Sequence, residues 1–86
     1  MTKDKQNKPP IDLVPTELIR QVADVMAFGA VKYERFDWRG GGSRSDYAAA
    51  AMRHILAWLD GEEYADDSEL SHLAHAAACM GILLQW

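Results

Sequence analysis

"ELSHLAHAAACMGILLQW", residues 69–86, decides the fold. Leu70, Leu73, Ala77, Met80 and Leu84 recur three and four residues apart, the period of one apolar stripe on a helix. The stretch therefore reads as a helix with that stripe as its core face. His72, His75 and Cys79 fall at i, i+3 and i+7, within about 60° of the circumference, and point together off the stripe. Asp67 or Ser68 is the expected cap.

Before this helix stands an acidic connection. Glu62, Glu63, Asp66, Asp67 and Glu69 follow Asp60, six carboxylates close together. Such crowding repels itself unless a divalent metal, arginines from elsewhere or water intervenes. Further back, "YAAAAMRHILAWLDG", residues 47–61, reads as a second helix, capped by Ser45 or Asp46 and ended by Gly61. Its four alanines let another backbone approach closely. His54 lies on its apolar face, seven residues after Tyr47 and four before Trp58.

"PTELIRQVADVMAFGAVKY", residues 15–33, reads as the first helix, with Pro15 at its first position. Leu18, Val22, Val25, Gly29 and Tyr33 make its buried stripe. Gly29 costs about 1 kcal/mol relative to alanine, which predicts a close helix contact or a bend there. "ERFDWRGGGSRSD", residues 34–46, cannot continue a helix, and its three glycines predict a mobile loop. "IDLVP" reads as a short extended approach. Residues 1–10 read as a flexible tail and residues 11–86 as a single domain.

The expected class is all-α: a three-helix chain completing a helical bundle by oligomerisation. The chain has 86 residues. A chain of that length buries only a little over 60% of its unfolded surface. One cysteine excludes an internal disulfide. Small domains so placed lean on a metal or a partner. Two copies sharing a four-helix core is the expected solution, a homo-oligomer.

Charge narrows the function. The net charge is −4, which argues against nucleic acid as a partner. All nine Lys and Arg lie in residues 1–53 with seven acids, giving +2, whereas residues 54–86 carry six acids and no Lys or Arg, giving −6. A magnesium nucleotide, anionic but carrying a cation, suits a basic front and an acidic back; a solvated acidic loop is the plainer alternative. No stretch approaches the ~20 apolar residues of a membrane span, and the first residues lack a signal peptide's apolar core, so a cytoplasmic protein without membrane partners is expected.

"FGAVKYERFDWRGGGSR", residues 28–44, interleaves cations with aromatics. Lys32, Arg35, Arg39 and Arg44 suit phosphates, and Tyr33, Phe36 and Trp38 suit a base. Equally, the rings suit core plugs and the arginines a solvated face. Neither GxxxxGK[ST] nor GxGxxG occurs. For the histidines two readings stand. Together with the carboxylates they make a site, ligating, orienting or carrying protons; or each is half-buried and bonded to a backbone carbonyl. Zinc on His72, His75 and Cys79 lacks a fourth ligand.

Taken together, "KPPIDLVPTELI", "FGAVKY…W", "AAMRHILAWLDGEE" and "DSELSHLAHAAACMGILL" resemble the phage and prophage dATP/dGTP diphosphohydrolase N-terminal domain family, over residues 8–84. That family is linked in activity to the all-α, MazG-like nucleoside triphosphate pyrophosphatases. The resemblance implies hydrolysis of dATP or dGTP to monophosphate and pyrophosphate with Mg²⁺ or Mn²⁺, in the host cytoplasm if the protein is phage-encoded. The matching positions are Gly29, Ala30, Lys32, Tyr33 and Trp38, then Arg53, His54, Trp58, Gly61 and Glu62, then His72, Leu73 and His75. Asp67 stands for a family Glu. Ala65 replaces an Asp, with Asp66 beside it, and Glu69 replaces a Gly. Glu34 and Asp37 stand where Gly and Asn are common. Only Glu63-x-x-Asp66 resembles half of a MazG carboxylate motif.

The expected site follows. Glu62, Asp66 and Asp67 hold the metal, and Glu62, Asp67, His72 and His75 serve catalysis. Lys32, Arg39, Arg53 and His54 hold the nucleotide, with Tyr33 and Trp38 on the base. The alternatives are a protein that sequesters a nucleotide or a cyclic immune-signal nucleotide without cutting it, and a helical oligomerisation module with no ligand.

Overall fold

The computed structural model describes residues 7–40 and 42–86. Residues 1–6, most of the expected tail, and Gly41 of the glycine loop lie outside the described residues. Three helices carry the fold: α1 (Thr16–Lys32), α2 (Arg44–Leu59) and α3 (His72–Gln85). Short 3-10 turns stand at Ile11–Leu13 and Asp37–Arg39. The architecture is all-α, and among the described residues there is no strand, only an isolated bridge between Tyr64 and Ser71. The expected extended approach at "IDLVP" is instead a 3-10 turn, in which Leu13 N–H donates to Pro10 O and Val14 N–H to Ile11 O. No described helix is long and apolar enough to cross a membrane.

α3 is the central element and packs against both α2 and α1. α2 and α3 run antiparallel: the Tyr47 ring at the start of α2 meets Trp86 past the end of α3, centroids 5.8 Å apart. The buried residues are Val25, Ala51, Ala65, Ala74, Ala76 and Ala78. Val25 of α1 packs on Ala74 and Ala78 of α3, with Val22, Met26 and Leu70 around them. Small side chains on α3 are what bring its neighbours close.

This corrects the expected core face of the last helix. Leu73, Met80 and Leu84 are exposed, and the alanines between them are buried. The reason is that α3 has neighbours on two sides. Ala74 and Ala78 face α1, while His72 meets His54 of α2. The leucine-methionine row lies on the arc between those contact lines. On α1, likewise, Val25 is buried but Leu18 and Tyr33 are exposed. A Cβ built on Gly29 meets nothing within 4 Å, so no close helix contact requires that glycine.

The helix starts also differ from expectation. α2 begins at Arg44 because the Ser43 hydroxyl accepts from Ser45 N–H at 3.1 Å and Asp46 N–H at 3.4 Å, satisfying two orphan donors. α3 begins at His72 because Ser71 accepts from Leu73 N–H and Ala74 N–H. Asp67 and Ser68 are used earlier, in the turn: Asp67 Oδ1 accepts from Ser68 N–H, and Ser68 Oγ from Leu70 N–H.

That turn belongs to a connection closed by its own backbone. Ala65 N–H donates to Leu70 O, Glu69 N–H to Ala65 O, and His72 N–H to Glu63 O. Ala65 is buried inside it, and the carboxylates point outward into solvent. Closing the loop puts Glu69 in the left-handed region, φ 61°. A side chain there costs about 1–2 kcal/mol. Glu69→Gly is therefore expected to stabilise the fold by about 1 kcal/mol in urea unfolding. Glu69→Ala, which removes the charge and keeps the Cβ, is expected to gain less; equal gains from both would place the cost in charge rather than backbone.

Candidate functional site

Three imidazoles meet where α2 and α3 cross the start of the acidic connection. His54 Nδ1 lies 2.8 Å from His72 Nδ1. The His54 and His75 rings stack, centroids 4.6 Å apart and 11° from parallel. His75 Nε2 lies 2.6 Å from Ser68 Oγ, and Phe28 of α1 presents an edge to the same ring at 6.3 Å. Glu62 Oε2 stands 3.8 Å from His72 Nε2. The spacing of His72 and His75 on α3 puts both on the α2 side, and His54 is the α2 residue that meets them.

Two Nδ1 atoms at hydrogen-bond distance share one proton. One tautomer places the His72 proton on Nε2, on the side of Glu62. In that tautomer His72 Nδ1 accepts from His54 Nδ1–H, and the His54 Nε2 lone pair is free. The row Glu62–His72–His54 so arranged holds one imidazole nitrogen ready to take a proton.

His54 and His75 both titrate below the ordinary histidine range. For His54 burial is the main cause, and positive charge on His75 and His72 adds to it, with Asp67 opposing. For His75 burial again leads; Asp67 opposes it and His72 adds. Both rings are neutral at pH 7. An unfolded chain takes up these protons near pH 6.5, whereas the folded chain resists them until lower pH. The folded state is thus favoured above that range and loses stability as pH falls through 6.5. The thermal midpoint is expected to be lower at pH 5.5 than at pH 7.5, and the difference to shrink in His54→Gln/His75→Gln. A wild-type midpoint that does not move across this window contradicts the assignment.

His75 also faces a cavity. Between α1, α3 and the 33–38 segment lies an open space of about 620 Å³, within the size range of small-molecule sites. Tyr33, Phe36, Trp38 and Tyr47 line it, and Ala27, Gly29 and Ala30 leave its α1 wall low. Burial pushes the Tyr47 phenol above its usual range. Cations stack on the rim aromatics: Arg39 lies 4.1 Å from the Phe36 centroid and 5.3 Å from Trp38, and Lys32 lies 5.5 Å from Tyr33. Trp38 and Arg39 also border a second space of about 480 Å³ beside Trp86.

The expected residues are thus partly brought together. Tyr33, Trp38 and His75 line the cavity, Lys32 and Arg39 reach its rim rings, and His54 and His72 adjoin His75. Arg53 is exposed on α2, next in sequence to His54. Glu62, Asp66 and Asp67 are exposed; Glu62 reaches His72, and Asp67 is bonded into its own turn. Among the described residues no group of three or more His, Cys, Asp or Glu forms a cation-holding set. The described donors therefore do not by themselves gather round a divalent metal. Nor do His72, His75 and Cys79 gather as a zinc-holding set. The sequence reading missed Ser68 as a partner of His75, Phe28 on the histidine cluster and Tyr47 in the cavity wall. Only Tyr47 carried a signal, one helical face shared with His54.

The family described as dATP/dGTP diphosphohydrolase, N-terminal, matches residues 1–86. A protein of Salmonella phage PMBT28 named dATP/dGTP diphosphohydrolase is 34% identical over 76 residues, covering 88% of this chain and 26% of that protein. The chain therefore spans about a quarter of the relative's length. No solved structure matches. With a family match over residues 1–86 and a relative 34% identical across 88% of its length, this chain belongs to the dATP/dGTP diphosphohydrolase N-terminal domain family.

Proposed function

We propose that this domain binds a purine deoxynucleoside triphosphate and serves its hydrolysis to monophosphate and pyrophosphate. The observation that carries this reading is the aromatic cavity whose wall includes His75, a member of the neutral histidine cluster. The base stacks against Tyr33 and Trp38. Lys32, Arg39 and Arg53 meet the phosphates, whose charge they offset. A divalent cation enters as part of the substrate, already bound to the triphosphate, and meets the exposed acidic connection.

Each residue's part follows from its place. Ser68 fixes the orientation of His75 through Nε2, leaving its Nδ1 toward the site. Glu62 and His72 set the tautomer of His54, whose Nε2 takes a proton from the attacking water. Desolvation keeps His54 neutral, which is the form a general base needs at pH 7.

A second reading rests on Ala65. It is 4% exposed, where a ligand carboxylate could not reach solvent cations, and no gathered donor set stands nearby. On that reading the cavity sequesters a nucleotide, or a cyclic immune-signal nucleotide, without cutting it.

One mixture separates the two. Protein is incubated with dATP or dGTP and Mg²⁺, then denatured, and the ligand is analysed. Monophosphate with pyrophosphate supports hydrolysis; intact ligand after demonstrated binding supports sequestration; no binding by calorimetry overturns both. Within the binding reading, Trp38→Ala is expected to weaken affinity roughly tenfold or more through lost stacking. Gly29 lines the cavity, and a Cβ added there meets nothing within 4 Å, so Gly29→Leu places new side-chain volume at the cavity wall. It is expected to raise helix stability by roughly 0.5–1 kcal/mol while lowering affinity. Unchanged affinity in both variants would place the base elsewhere.

A further inference from the structure

We infer that Tyr47 is the base-reading residue of the cavity: its hydroxyl meets the substituent at the purine 6-position, the amino group of adenine or the oxo group of guanine. This rests on the nucleotide reading above and deepens it. Tyr47 stands in the first turns of α2 and, among the described residues, is that helix's one contribution to the cavity wall. The Ser43 cap that starts the helix brings the chain before it back over the phenol. Gly42, at φ 90°, lies against the ring: a Cβ built on it would stand 3.2 Å from Tyr47 Cε2 and 3.7 Å from the hydroxyl oxygen. Trp86, past the end of α3, packs on the same ring, centroids 5.8 Å apart at 65°. Two contacts from outside α2 so hold the phenol in place, which a reading contact requires.

The neighbours of the hydroxyl say which end of the ligand it meets. Burial leads in raising the phenol, and Cys79, Asp37 and Tyr33 follow by their nearness. Asp37 and Tyr33 belong to the 33–38 segment, so Tyr47 shares the end of the cavity where Tyr33 and Trp38 stack the base. His75 marks the opposite end: Trp86, which packs on Tyr47, follows it by about 16 Å along α3. Adenine presents a hydrogen-bond donor at the 6-position and guanine an acceptor. A carboxylate such as Asp37 serves only the first, and the Trp38 indole N–H only the second. A phenol serves both by turning its O–H, whereas the Cys79 thiol is a weak partner in either sense. Tyr33 carries another phenol, but its ring is 62% exposed and offers the stacking face. One hydroxyl therefore lets a single cavity accept both purines in the family's description.

Calorimetry with Mg²⁺ and three α,β-methylene triphosphates, which cannot be cut between those phosphorus atoms, tests this. The ligands carry 2′-deoxyadenosine, 2′-deoxyguanosine and the 2′-deoxynucleoside of purine with no 6-substituent. The wild-type chain is expected to bind the first two roughly three- to tenfold more tightly than the third. Tyr47→Phe keeps the ring against Gly42 and Trp86 and removes only the hydroxyl. It is expected to weaken the first two by that factor and leave the third unchanged, so that all three become level. Should Tyr47→Phe fail to fold, the wild-type comparison, which deletes the ligand's group instead, carries the test. A Tyr47→Phe chain that keeps the preference or weakens all three ligands equally, or a wild type with no preference, overturns the inference and leaves the nucleotide reading standing. A wild type that binds none of the three overturns that reading and this inference with it.

Discussion

The seam along α3 sets everything else. Ala74, Ala76 and Ala78 are its buried residues, and they let α1 and α2 lie against one helix from two sides. The same choice makes the core thin. Burying a leucine or valine contributes about 1.5–3 kcal/mol, whereas an alanine offers a single methyl. Among the described residues six are buried, and of these only Val25 is larger than alanine. The α2–α3 seam therefore depends in part on polar contacts, and at its acidic end those contacts are imidazoles.

That dependence gives the histidine cluster its character. A stack of two rings 4.6 Å apart and a third bonded to one of them is cohesive while the rings are neutral. Adding protons turns the same contacts repulsive and breaks the shared Nδ1 proton. A thin apolar core has little to offset this. The acidic connection moderates the effect, since Asp67 favours charge on both His54 and His75 while burial disfavours it. The contacts that join α2 to α3 at this end are thus themselves titratable.

The sequence showed the three helices, the joint direction of His72 and His75, and the cation-aromatic segment, because each depends on local spacing. It did not show which apolar face is covered. Periodicity reports that Leu73, Met80 and Leu84 share a face; the position of α1 and α2 decides whether it is inside. The caps were missed for a related reason. Ser43 and Ser45 both suit a helix start, and the selection follows from the whole 34–46 connection. Asp67 and Ser68 would have capped α3 had the turn not used them first. Ala65 and Glu69 were visible as departures from the family pattern; the closed loop buries Ala65, whereas its left-handed position at 69 suits a glycine and leaves the glutamate there unexplained.

The cavity follows from the same economy of volume. Ala27, Gly29 and Ala30 on α1, with Ala78 on α3, leave space that the surrounding rings border without filling. The space is open to solvent, so water rather than side chains meets its lining. A ligand filling the space would make contacts with that lining and hold α1 to α3. Binding to the folded state alone stabilises it in proportion to the logarithm of ligand concentration over the dissociation constant. In a domain whose buried residues are mostly alanine, the weakness of the α1–α3 seam and the open space beside it have one origin.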